Sequence, residues 1–218
     1  MGIGKGTKMT KKIPIINTSK RIMIICEGSE EEDYLKRLKE CGVWNRGISV
    51  RIINAKSIDE IVAHYQYHYQ SGNYELVVAY CDTEKEPYTQ FLALRTAINK
   101  FHGNKASEKV VYYANPCTMQ IILSHFAGIK LKNNSKSVNS GIIFELTGVN
   151  DYRASDKQRE AIMKKITDKN YPTMKGNIAK LPTDYCSVPG TNCKALFDGL
   201  DGDSFAWIKE CNKKIEEE

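Results

Sequence analysis

The chain has 218 residues, 41% of them hydrophobic and 9% aromatic, which excludes a disordered or fibrous protein and leaves room for one sizeable core with or without a smaller extension. Thirty-two Lys and Arg against 26 Asp and Glu leave a formal charge of +6, which permits a phosphate-rich partner without demanding one. No apolar run reaches 18 residues, the start carries no apolar signal core, and the seven cysteines form no CxxC pair, so the expectation is a reduced, cytoplasmic protein with no membrane contact.

Residues 1–20 read as a flexible basic arm, with Lys5, Lys8, Lys11, Lys12 and Lys20 spaced by Gly, Thr and Ser. Such an arm either lies along nucleic acid or is merely solvated. Ile22 to Cys26 then predicts a buried strand ending in Glu27-Gly28, and Ser29 with Glu32 predicts a capping box that opens a helix. Its apolar positions are Tyr34, Leu35 and Leu38, and Cys41-Gly42 marks its end. Val50 to Ile53 is a second strand, after which Ser57 and Glu60 repeat the capping signal. Ile58, Ile61, Val62, Tyr65 and Tyr69 recur at helical spacing and predict a face packed on a sheet, stopped by Ser71-Gly72-Asn73.

Leu76 to Cys81 is the most continuous apolar run and predicts a strand buried on both faces. Pro87 suits a first helical turn, with Phe91, Leu94, Ile98 and Phe101 as the stripe and His102-Gly103-Asn104 as the stop. Val110 to Ala114 supplies a fourth strand, followed by Asn115 as a cap, Pro116 at a first helical position, and a face of Met119, Ile122, Leu123 and Phe126. This alternation predicts an α/β core over residues 21–130, a mostly parallel four-stranded sheet flanked by helices. Residues 131–218 read as a mainly helical elaboration: a polar connection over 133–137, a helix over 156–168, a loop over 180–192 and a final helix over 205–215. Ile142 to Leu146 is too short to assign.

If the first and third strands are neighbours, Glu27, Asp82 and Glu84 converge at the carboxyl edge of the sheet, where open α/β proteins place ligands. Asp82 and Glu84 point to one side if extended geometry persists through Thr83, and Gly28 allows a close turn beneath Glu27. Carboxylates sharing a small volume repel unless a cation neutralises them, and oxygen ligands suit magnesium or manganese. Glu27 could equally cap a helix or solvate a turn. His64 and His68, four apart on a helix, read as surface residues before metal ligands. His125 is either a packed core or cap histidine or a catalytic one, and Lys85 and Lys130 either face phosphate or solvent. The spacing from Cys186 to Cys193 does not match a zinc finger.

Three segments in order, Ile25-Cys26-Glu27-Gly28-Ser29-Glu30-Glu31-Glu32-Asp33-Tyr34, Tyr80-Cys81-Asp82-Thr83-Glu84, and Tyr112-Tyr113-Ala114-Asn115-Pro116-Cys117 running to Leu123-Ser124-His125-Phe126, resemble the RloB-like family. That family belongs to the Toprim-like proteins associated with restriction and abortive-infection loci. The resemblance covers about residues 20–130, with Asn-Pro-Cys and the downstream His-Phe its most specific piece. It implies a Toprim-like fold in which Glu27, Asp82 and Glu84 hold Mg²⁺ or Mn²⁺, with Glu27 also handling a proton and His125 a fourth site residue. It further implies a nuclease acting on RNA or DNA in a phage-defence or mobile-element setting, with a defence-system ATPase as a companion.

Two departures stand out. The family's second aspartate is Glu84 here, one methylene longer, which shifts a ligand by roughly an ångström for an ion as exacting as Mg²⁺. Where the family follows Asn-Pro-Cys with an aromatic and a glutamate, this chain has Thr118 and Met119. The alternative is therefore a nucleic-acid-binding or sensor module of a defence system that keeps the Toprim-like shell with weak or no catalysis.

Overall fold

The computed structural model describes residues 19–216. The basic arm, apart from Ser19 and Lys20 at its end, lies outside the described residues. Lys20 itself opens the first strand, β1 (Lys20–Cys26). Ile22, Met23, Ile24, Ile25 and Cys26 are wholly buried, as an apolar run covered on both faces must be. Helix α1 (Ser29–Glu40) follows, then β2 (Ile48–Asn54), α2 (Ile58–Gln70) and β3 (Leu76–Asp82). Next come α3 (Thr89–His102), the single turn α4 (Ser107–Val110), β4 (Val111–Asn115) and α5 (Met119–Leu123).

The strands stand in the order β2-β1-β3-β4-β5, the first four parallel and the last, β5 (Gly190–Thr191), antiparallel to β4. The sheet is thus mixed and five-stranded, one strand more than the sequence predicts. Two residues inside a loop carry no periodicity. They are held in register by pairing Ala114 with Thr191 and Asn115 with Gly190, and the Thr191 hydroxyl donates to the Tyr113 carbonyl at 2.6 Å. Beyond them the Asn192 side chain takes over, accepting from Tyr113 N at 2.8 Å and donating to the Val111 carbonyl at 2.9 Å.

The chain leaves β1 toward β2 on one side and reaches β3 on the other, so the crevice between β1 and β3 is the topological switch point. Tyr65 of α2 meets Phe101 and His102 of α3 edge to face, whereas Tyr34 of α1 meets Phe197 from the carboxy-terminal region. Right-handed crossovers put these two groups on opposite faces of the sheet.

Several local expectations need correction. Gly28, in extended conformation, is the N-cap of α1, and Ser29 is already helical. Its hydroxyl accepts from the Asn54 amide at 3.2 Å, so no capping box forms there. Ser57 does cap α2, accepting from Glu60 N at 3.3 Å. Pro87 lies outside α3, because buried Tyr88 adopts a left-handed conformation (φ 59°) to set its ring against Tyr185 and delays the helix to Thr89. Pro116 likewise precedes α5, and Asn115 ends β4 with its amide donating to the Tyr185 carbonyl at 2.7 Å.

The carboxy-terminal region contributes α6 (Lys136–Thr147), α7 (Asp156–Met163), α8 (Tyr171–Ile178), α9 (Cys193–Asp201) and α10 (Ser204–Glu216). Helix α6 absorbs the run 142–146, and α7 stops five residues short of the expected 168. Buried Ile162, Met174, Phe197, Ile208 and Ile215 join the strands in one continuous core. At Gly199 a Cβ would stand 2.2 Å from the Trp207 ring, so only glycine lets α9 and α10 meet. Among the described residues no helix is long and apolar enough to cross a membrane.

Candidate active site

The site is built on the switch point. Cys26 pairs with Tyr80, and Glu27 N continues the ladder by donating to the Tyr80 carbonyl at 3.2 Å. In return the Asp82 amide donates to Glu27 Oε2 at 3.2 Å, which sets the Glu27 carboxylate against the end of β3. Asp82 is oriented from the N-cap of α5: its Oδ1 accepts the Thr118 N–H at 2.7 Å and the Thr118 hydroxyl at 2.9 Å. Extended geometry does not persist beyond β3, since Glu84 is left-handed (φ 61°). Glu84 nevertheless lines the same cleft, with Oε2 accepting from the Asn134 amide at 3.4 Å.

Two further carboxylates enter from α1, Glu30 and Glu31. Glu31 is 5% exposed and belongs to the buried face with Tyr34, Leu35 and Leu38. A signal for it existed in the sequence, because stepping back three and four from Tyr34 and Leu35 lands on Glu31. The tight turn at Gly28 serves this residue: a Cβ there would stand 3.0 Å from Glu31 Oε2. Glu30 accepts a hydrogen bond from the Tyr152 hydroxyl.

Burial dominates the electrostatics. It pushes Glu27 up to about 7, opposed by the Asp82 N–H and reinforced by Glu84. Glu31 also rises to about 7, through burial and then Glu30. Asp82 is held well above the usual carboxylate range by burial and by Glu31, Glu27 and Glu30 in turn. A buried acidic cluster of this kind favours protons or a cation.

The cleft over these acids has a volume of about 410 Å³, and Lys56, Lys136, Arg153 and Arg159 stand around it. Arg159 is committed to Asp33 and Asp156, each at 2.7 Å. His125 is elsewhere. It is 2% exposed, its ring bonded to the Tyr34 hydroxyl and to Asn170 Oδ1, both at 3.0 Å, and burial lowers it to about 4. The Asn170 oxygen can only accept, so Nδ1 carries the proton and Nε2 accepts from Tyr34. Exposed Lys85, Glu86 and Lys130 do not line the cleft. His64 and His68 stack on each other on α2, away from the acids.

Among the described residues no group of three or more His, Cys, Asp or Glu side chains stands in an arrangement ready to hold a metal ion. The donor chemistry of the cleft still fits a hard divalent cation: the acids offer oxygen only, and Asp82 Oδ2 accepts no hydrogen bond from the described residues. No family model, curated protein or solved structure matches the chain.

Proposed function

We propose that the protein is a magnesium- or manganese-dependent nuclease with a Toprim-like core, hydrolysing phosphodiester bonds in RNA or DNA. The observation that carries this reading is the hydrogen bond from the Asp82 amide to the Glu27 carboxylate, which brings the two expected acids to one crevice at the carboxyl edge of the sheet. Glu27 and Asp82, with Glu84 on the cleft wall, would hold the cation. Bound there, such an ion supplies Lewis-acid polarisation of a phosphodiester oxygen. Thr118 fixes the orientation of Asp82 through one oxygen and leaves the other free. Glu27, held against the end of β3, would also take a proton from an attacking water.

The resemblance of the sequence to the RloB-like family supports a role in phage defence, and seven free cysteines support a reducing cytoplasm. The alternative, a binding or sensor module with weak catalysis, is favoured by one observation: Met119 lines the cleft where the resemblance expects a glutamate. A divalent-ion screen on mixed RNA and DNA, run beside Asp82→Asn, tests the proposal. Product formed with Mg²⁺ or Mn²⁺ and lost in the variant supports the nuclease. Binding without product, unchanged in the variant, supports the module.

A further inference from the structure

Resting on the proposed nuclease reading, we infer that the cleft takes a continuous nucleic-acid strand, gripped by its phosphates at cations drawn from three separate segments around the acidic floor. Lys56 holds it on the β2 side, and Lys136 with Arg153 hold it on the wall built by the carboxy-terminal region. The register Asn54–Cys26–Tyr80 aligns the last residues of β2 and β1 with the residue two short of the end of β3, about 4.8 Å between neighbours. Lys56, Glu27 and Asp82 therefore follow one another across the sheet edge. Lys56 is not at the end of a loose loop. Ala55 N donates to the Cys26 carbonyl at 2.8 Å, Lys56 N donates to Asn54 Oδ1 at 2.7 Å, and the backbone is left-handed (φ 73°).

In the carboxy-terminal region, Lys136 opens α6 two residues after Asn134, the residue that bonds Glu84. Arg153 follows Tyr152, which bonds Glu30, and its own N–H is held by Gln158 at 2.9 Å. These three cations share a further property. Among the described residues none of their side chains forms an ion pair or hydrogen bond, although five carboxylates line the same cleft and Lys136 is close enough to Glu30 to favour its charged form. Arg159, by contrast, has two acids as partners.

An acidic floor repels a polyanion, so the strand must be held by cations outside the floor. One phosphate needs one or two such cations. Three of them, on three separate segments of one cleft, fit a backbone that continues past the reacting phosphate.

The test is fluorescence-anisotropy binding of a labelled single-stranded 20-mer, as DNA and as RNA of the same sequence, to the full chain in EDTA from 50 to 200 mM salt. Each of Lys56→Gln, Lys136→Gln and Arg153→Gln should weaken binding about three- to tenfold. Each should also flatten the slope of log K against log salt by about 0.7, the value for one single-strand phosphate contact. The losses should be equal on the two polymers, because phosphate is common to both. Unchanged slopes, a loss confined to one polymer, or an equal drop for Lys85→Gln outside the cleft would overturn the inference. With no turnover in EDTA, failure of the divalent screen to yield product leaves these slopes to decide independently.

Discussion

The Glu27 carboxylate accepts a hydrogen bond from the Asp82 N–H at 3.2 Å, so one acid of the site is anchored by the backbone of the next. The anchor does not offset the burial of Glu27, which titrates at about 7. A carboxyl whose folded value lies above its unfolded one costs stability as pH rises through the interval between them. The penalty should therefore grow from about pH 4.5 to 7 and reach roughly 3 kcal/mol at most. Glu27→Gln is expected to raise Tm at pH 8 in EDTA, leave it nearly unchanged at pH 4.5, and abolish cleavage. Equal Tm shifts at the two pH values would remove burial as the cause.

Divalent cation should act in the opposite sense on the native protein. At about a hundred times its Kd, an ion bound only by the folded state adds about 2.7 kcal/mol. Thermal unfolding should show Mg²⁺ or Mn²⁺ raising Tm in the native chain and much less in Asp82→Asn. A Tm indifferent to both ions would argue against a cation in this cleft.

Thr118 offers a finer probe, since its side-chain and backbone donors meet on one Asp82 oxygen. Thr118→Val keeps the backbone donor and removes the hydroxyl. Cleavage should fall about tenfold, the size of one hydrogen bond to a charged group, and Thr118→Ser should restore it. If serine and valine behave alike, the hydroxyl has no positioning role.

His125 separates packing from chemistry. Its folded value of about 4 lies below the ordinary 6.5. The stability tied to its neutral ring is thus present above about pH 6.5 and lost as pH falls toward 4, about 3 kcal/mol in all. His125→Gln should lower urea stability at pH 7 by about 1–3 kcal/mol and flatten this acid limb, with kcat changed less than about threefold. A hundredfold fall in kcat in a folded variant would instead assign it to proton transfer.

Gly199 and Gly141 form a matched pair for the helical region. Gly199→Ala places a methyl 2.2 Å from Trp207 and should cost about 1–3 kcal/mol or more. At Gly141, exposed within α6 with nothing within 4 Å of a Cβ, alanine should add up to about 1 kcal/mol. Denaturant midpoints that move the same way for both would contradict the packing of α9 on α10.

β1, β3 and β4 were legible as apolar runs bounded by polar turns and β2 from Val50, Ile52 and Ile53 around Arg51, while Glu27 and Asp82 were legible because they close the runs of β1 and β3. Glu30 and Glu31 were not read, since a run of four acids, Glu30 to Asp33, looks like a solvated helix start until Glu31 is seen on the buried face. Helices α8 and α9 escaped because Pro172, Gly176 and Gly199 lie inside them, and tertiary contact outweighs weak propensity there. The prolines at 87 and 116 precede their helices instead of opening them, since α3 starts at Thr89 and α5 at Met119. The cations of the cleft include Lys56, 80 positions before Lys136, a juxtaposition that no local pattern encodes.

The amide of Asn192, bonding Val111 and Tyr113 together, finishes one border of the sheet with a side chain where further strand would otherwise continue. A border sealed in this way offers little template for pairing with another polypeptide. Lateral growth of the sheet, whether by a recruited peptide or by misassembly, is therefore directed to the outer rim of β2, on the same flank as Lys56.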